Sequence, residues 1–337
     1  MRLAVLDIGS NSVKLQIIDA YPGAPPLPIF GSRWPFRIAE NLDDDGALSP
    51  AGTKALVATI HDTVEVSDGH GVAEVTAVAT AGWREASNGG DVSRAIRDAT
   101  GVAVQELSGQ DEARLTFLAA RRWYGWSSGP ILLLDIGGGS LEVAFGRDEE
   151  PALAVSLPLG ARHLTRLHLH HDPPRRDEVQ ALRKHARHAI AEVSERLRWE
   201  GPPGRVVATS KTFKQLARLQ GAPGRSKDPF VVRSVSRAGV RTWERRLARM
   251  DRRRRIAQRG VSRSRADQIV AGAVVAHAAM RGLGVATLEI CPWALREGVL
   301  LRRLDQLRDP HEEHDHRLID RATAATPTAD GPTTRDG

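Results

Sequence analysis

The chain has 337 residues, room for two domains of ordinary size that each bury a core. Hydrophobic residues make up 41% and charged residues 26%, and no apolar run approaches the roughly 18 residues of a membrane span, which excludes an integral membrane protein of the helical kind. Net charge is +7, and Cys291 is the single cysteine, which excludes an internal disulfide and a cysteine-based zinc site.

The start, Met1-Arg2-Leu3-Ala4-Val5-Leu6-Asp7, has its apolar run cut by an aspartate, unlike a signal peptide, so a cytoplasmic setting is expected. Residues 2–6 and 13–18 read as strands around a tight turn, Asp7-Ile8-Gly9-Ser10-Asn11-Ser12. The proline-rich stretch 21–30 reads as a loop. A helix is expected after Ser49-Pro50, with Leu56, Ile60 and Val64 on one face. A strand follows at 74–79, a helix at 91–99, a strand at 102–107 and a helix at 111–124. Trp126-Ser127-Ser128-Gly129-Pro130 reads as a boundary between domains 1–127 and 128–308.

Beyond it, strands at 131–134 and 141–145 flank Asp135-Ile136-Gly137-Gly138-Gly139-Ser140. A long amphipathic helix is expected over 176–198, a strand at 205–208, and helices at 212–219, 240–258, 267–282 and 294–306. Within 241–265 stand eleven arginines against Glu244 and Asp251. This is either a docking surface for a polyanion or a solvated arginine-rich face. With Trp243 as the segment's single aromatic, base stacking is not expected, and nucleic acid is not a favoured partner. From about 309 the chain turns polar and reads as a disordered tail, 309–337.

The most informative feature is a repeat. Residues 3–18 align with 131–146, so that Asp7 corresponds to Asp135, 128 positions later, each in an apolar strand, an Asp-Ile-Gly turn, a serine and a second strand. A repeat at domain-length spacing implies two similar halves. Glycines let backbone N–H groups line a concavity, and Ser10, Asn11, Ser12 and Ser140 add side-chain donors, which suits phosphate. Asp7 and Asp135, at strand ends, suit a hard cation such as Mg²⁺. No G-x-x-x-x-G-K-[ST] motif is present, so this is not a P-loop.

Five motifs in one order resemble the exopolyphosphatase/guanosine pentaphosphate phosphohydrolase (Ppx/GppA) family. They are Asp7-Ile8-Gly9-Ser10-Asn11-Ser12, the run 79–88 containing Thr80 and Arg84, Leu107-Ser108-Gly109-Gln110-Asp111-Glu112-Ala113-Arg114, Leu134 through Glu142, and Ala294-Leu295-Arg296-Glu297-Gly298. The run 122–126, Ser210-Lys211-Thr212 and the run 291–298 further resemble the short, two-domain actinobacterial exopolyphosphatases. The resemblance implies an α/β fold of two ribonuclease-H-like domains of the actin-like superfamily, with the site in the cleft between them. It implies a hydrolase that removes terminal phosphate from inorganic polyphosphate, with guanosine pentaphosphate as the alternative substrate, and possible homodimers. A non-catalytic polyphosphate or nucleotide sensor is the rival of another class, and an intact Glu112 speaks against it.

The family's catalytic glutamate falls on Glu112, as a base that orients and deprotonates water. Arg84 falls on its phosphate-contacting arginine. The turns place Ser10, Asn11, Ser12, Gly137, Gly138, Gly139 and Ser140 on phosphate, together with Lys211 and Thr212. Asp135, Glu142 and Asp7 are the expected Mg²⁺ residues. Where relatives carry a close-approach glycine, this chain has Lys211, whose side chain obstructs a nucleoside and whose charge favours phosphate. Gly82 replaces a common alanine and Asp111 a glutamate. The longer relatives' additional C-terminal domains have no counterpart here, so short polyphosphate is expected.

The histidines 163, 168, 170 and 171 are not expected to form a metal site, nor are those in 311–316. His277 and Cys291 read as structural.

Overall fold

A computed structural model describes residues 1–21, 24–84, 86–224 and 230–308. The polar tail and its histidines lie outside the described residues. Chain order begins with β1 (Arg2–Gly9), β2 (Ser12–Asp19), β3 (Pro28–Pro35), α1 (Pro50–Gly69), β4 (Glu74–Ala79), α2 (Ala81–Arg84), α3 (Gly89–Thr100), β5 (Val104–Glu106) and α4 (Gly109–Tyr124). The second half has β6 (Ile131–Ile136), β7 (Leu141–Gly146), β8 (Leu153–Leu157), α5 (Ala161–His168), α6 (Arg176–Arg198), β9 (Arg205–Ala208) and α7 (Ser210–Leu219). It closes with β10 (Ser234–Ser236), α8 (Arg237–Leu247), α9 (Arg252–Ile256), α10 (Ile269–Gly282), β11 (Thr287–Ile290) and α11 (Leu295–Arg308).

The first sheet runs β3-β2-β1-β4-β5 and the second β10-β11-β9-β6-β7-β8. In each, a three-strand antiparallel meander (β1 to β3, β6 to β8) continues into parallel strands beside its first member. The two halves therefore share topology as well as sequence.

The near-continuous apolar runs of β1 and β6 follow from burial on both faces. Ala4, Leu6 and Ile8 face Leu56 and Ile60 of α1 and Ile96 of α3. Leu3 and Val5 face Leu115 of α4 and Val299, Leu300 and Leu304 of α11. On β6, Leu132, Leu134 and Ile136 meet α6 and α10, while Ile131 and Leu133 meet Phe117 and Ala120 of α4. Helix α4 thus lies between the sheets, and α11 returns from the second half to the first sheet.

Two expectations are corrected. Part of the stretch read as a loop, 21–30, is the edge strand β3, with prolines at its ends and alternating exposure, where a missing N–H is tolerated. The single helix expected over 240–258 is two helices, because Asp251 caps α9 by accepting from the Arg254 N–H at 2.8 Å. The short elements α2, β8, α5, β10 and β11 were not expected.

Candidate active site

The two predicted turns meet. A methyl group added at Gly138 would come 2.9 Å from Asn11 Nδ2 and 3.1 Å from Ser10 Oγ, so glycine permits the approach. Among the described residues, the N–H groups of Ser10, Asn11, Gly138 and Gly139 donate to no other backbone group. The Gly137, Gly138 and Gly139 carbonyls accept from the N–H groups of Ala161, of Arg162 and His163, and of Gly160, so the start of α5 holds the loop from behind. Gly160 allows this contact, since its added methyl would lie 2.1 Å from the Gly139 carbonyl carbon. Gly82 also has a local reason here. A methyl group there would meet Ser10 Cα at 2.7 Å.

Beside the turns is a set of carboxylates. Asp135 and Glu142 stand opposite each other across β6 and β7. The Thr209 hydroxyl donates to Asp135, and Ser156 donates to Glu142 at 2.9 Å. Glu112 enters from the first turn of α4. Ser108 caps that helix by accepting from the Asp111 N–H at 3.1 Å, and Gly109 lets its backbone close on Ser156, the partner of Glu142. Arg84 anchors to the Leu107 carbonyl at 2.5 Å and lies 3.6 Å from Glu112 Oε2. That distance makes an ion pair without a hydrogen bond, and Glu112 Oε2 is buried with no hydrogen-bond partner.

Burial, with Asp135 nearby, pushes Glu112 up to about 7 against the opposing pull of Arg84. Burial also raises Asp135, and burial with the neighbouring Glu112 and Asp135 raises Glu142. Lys14 of β2 holds Asp7 at 2.6 Å. Lys14 occupies the repeat position of Glu142, opposite Asp7 in the ladder. The two hairpins thus share geometry and differ in charge.

Crowded buried carboxylates and an orphaned glutamate oxygen suit a divalent cation. Asp135, Glu142 and Asp7 do not close into a tight all-protein shell. Among the described residues, the only trio with ligand atoms within 4.8 Å of one another is His61, Asp62 and Glu65, exposed on α1. Sparse carboxylates completed by water and phosphate oxygens are the habit of Mg²⁺.

Cations gather beside the carboxylates, Lys14 and Arg265 among them. Burial, then Arg33, Arg265 and Lys14, pulls the half-buried Lys211 down to about 8. Burial, then Arg33 and Arg162, brings Arg265 down to about 10. Arg162 Nη1 donates to the Ser10 carbonyl at 2.5 Å, tying α5 to the opposite hairpin. Gln268 reaches Asn11 Oδ1 at 3.3 Å. Arg162, Arg265 and Arg33 were missed in the sequence, and Lys14 could have been found from the repeat. Thr212 is brought to the site, but its hydroxyl already donates to the Ile136 carbonyl at 3.0 Å and so fixes α7 to β6. Ser12 and Ser140 are buried beneath the turns.

His168 stacks edge-on with His185, and His171 pairs with Glu178 at 2.8 Å. His277 pairs with Glu244 at 2.6 Å. Cys291 is fully buried, which pushes its thiol up to about 12.

Fold and site define a two-domain α/β protein of the actin-like class, with carboxylates and cations gathered where its two hairpin turns meet. The sequence model of the Ppx/GppA phosphatase family matches residues 17–307. The chain is 49% identical over 309 residues to Exopolyphosphatase 1 of Mycobacterium tuberculosis, covering 92% of this chain and 90% of that one. The structure of an exopolyphosphatase from Cytophaga hutchinsonii superposes with a TM-score of 0.80 at 23% identity, covering 90% and 98%. A structure of the Aquifex aeolicus PPX-GPPA enzyme gives a TM-score of 0.75 at 26% identity, covering 90% and 99%. The chain belongs to the Ppx/GppA phosphatase family.

Proposed function

We propose that this chain is an exopolyphosphatase acting on inorganic polyphosphate, short chains above all, in the cytoplasm. The observation that carries the reading is Glu112, ion-paired with Arg84 yet with a buried oxygen that has no hydrogen-bond partner, set beside two facing turns whose amides bond no other backbone group. The chain's terminal phosphate rests on the turn amides, with Arg84 against its oxygens. Glu112 orients a water and takes its proton as the water oxygen bonds to phosphorus. The bridging P–O bond breaks, releasing orthophosphate and a chain one unit shorter. Asp135 and Glu142, with Asp7, would hold Mg²⁺, which when bound neutralises phosphate charge. Lys14, Arg33, Arg162, Lys211 and Arg265 offer charge to the following phosphates. The name of the mycobacterial relative supports the same reading.

No helix among the described residues is long and apolar enough to cross a membrane. The test is phosphate release from short and long polyphosphate and from guanosine pentaphosphate, with Mg²⁺ or with EDTA. Wild type should release phosphate from polyphosphate with Mg²⁺ only. Glu112→Gln should lose about 10²–10⁴-fold in rate while still binding the polymer. Binding without release by the wild type would make the chain a sensor instead.

A further inference from the structure

We propose that an arginine-lined groove on the second domain is a separate binding site for an oligophosphate, remote from the hairpin cleft. The groove lies among α6, α8 and α10 and has a volume of about 1220 Å³. Its walls carry Arg183, Arg187, Arg237, Arg241, Arg245 and Arg281. Arg237, Arg241 and Arg245 recur every fourth residue, so α8 presents them on one face. Arg183 and Arg187 do the same from α6.

The groove's one acid is already engaged. Glu244 is buried, bound by Arg183 at 2.5 Å and by His277 at 2.6 Å. Among the described residues, Arg237, Arg241, Arg245 and Arg281 have no ion pair or side-chain hydrogen bond. Four guanidinium groups converging on a concavity without a counter-charge repel one another, and the walls concentrate their field. An anion with many closely spaced oxygens relieves that repulsion and matches the guanidinium forks. The groove is lined by no Phe, Tyr or Trp, and its one imidazole, His277, is held by Glu244, so it offers no free platform for a base. The unpaired arginines gather inside a hollow rather than along a convex face, which favours a compact phosphate chain over a duplex.

The groove is not the catalytic cleft. Gln268, just before α10, touches Asn11 in the cleft. His277 and Arg281 follow nine and thirteen residues later, about 14 and 20 Å along the helix axis.

Three other arginines of the 241–265 segment have different duties. Arg255 is buried on Asp172 at 2.5 Å and on three backbone carbonyls, Arg252 pairs with Asp267, and Arg265 belongs to the cleft.

The test counts inorganic tripolyphosphate bound by the Glu112→Gln protein in equilibrium dialysis, with and without Arg241→Gln, Arg245→Gln and Arg281→Gln together. Two equivalents are expected, falling to one when the groove arginines are neutralised. Hydrolysis of tripolyphosphate by a chain keeping Glu112 should be unchanged by the same three substitutions. A parallel titration with ATP asks whether the groove accepts a nucleoside on the phosphates, and binding of either ligand that the triple variant loses supports the site. Lysine at the three positions should restore binding in part, which excludes misfolding as the cause. Equal stoichiometry with and without the groove arginines would overturn the proposal. So would capture of a duplex oligonucleotide there that tripolyphosphate fails to displace. One equivalent that the groove substitutions abolish would keep this site and count against the cleft.

Discussion

Lys211 sits where the backbone is least ordinary. Ser210 before it has φ 68°, the left-handed region that a non-glycine residue seldom adopts, and this turn sends the lysine among Lys14, Arg33 and Arg265. On the proposed function, a polyphosphate chain would relieve that crowding, while a nucleoside would meet the side chain. Lys211→Gly should lower the ratio of polyphosphate to guanosine pentaphosphate hydrolysis by roughly tenfold, the worth of one charge-assisted contact. An unchanged ratio would remove Lys211 as a selector. Glu244 carries a pH prediction. Burial pushes its carboxyl up, but hydrogen bonds from His277 and Arg183 outweigh it and hold the group below its ordinary range. A depressed carboxyl stabilises the fold fully above its unfolded pKa of about 4.3, and that contribution is lost as pH falls through the lower folded value. Urea midpoints of Glu244→Gln should therefore fall below wild type at pH 7, with the gap narrowing below pH 4. A constant gap would show that the pair contributes no pH dependence. Glu112 and Arg84 were legible because each sits in a motif. Arg162, Arg265 and Arg33 carry no local signal, and reach the cleft only because α5, the segment before α10 and an edge strand fold around it.

At the scale of elements, the motif glycines prove to be spacers. Gly298 lets α11 lie against α4, since an added methyl would meet the Leu115 carbonyl oxygen at 1.9 Å. Its neighbour Glu297 accepts from Gln16 at 3.0 Å and from the Ala294 N–H at 2.8 Å, pinning the start of α11 to β2. Gly298→Ala should destabilise by about 3 kcal/mol, because backbone has to move. Gly90→Ala in α3, where nothing lies within 4 Å, should instead stabilise by about 0.4–1 kcal/mol. Thermal unfolding of both variants checks the contrast, and equal shifts would refute the steric account. The existence of the long helices was legible from periodicity, while that of the short α2 and α5 was not. The break between α8 and α9 was not, because an arginine-rich run keeps helical propensity while a single aspartate caps the second helix.

For the whole molecule, the decisive feature is that α4 and α11 lie between the halves. Arg122 of α4 bonds Asp305 of α11 at 2.6 Å, and Arg303 bonds Glu74 of β4 at 2.7 Å. A chain ending at Ala294 would uncover Leu3, Val5, Ile18 and Val78. Losing the burial of Val299, Leu300 and Leu304 costs about 1.5–3 kcal/mol each, which together approaches the whole stability of a domain. That truncation should bind a hydrophobic dye and lose cooperative unfolding. A compact, dye-silent product would show that the first domain stands alone.

The repeat around Asp7 and Asp135 was sufficient, without coordinates, to indicate two similar halves built on hairpin turns, because strand alternation and Asp-Ile-Gly turns are local properties of the chain. Five ordered motifs pointed to the family and to Glu112. Tertiary structure alone decided how the turns meet at Gly138, which cations face the carboxylates and where the arginine groove lies. Those are contacts between residues far apart in the chain, 257 positions for Asn11 with Gln268, and sheet order and helix packing set them rather than any neighbour in sequence.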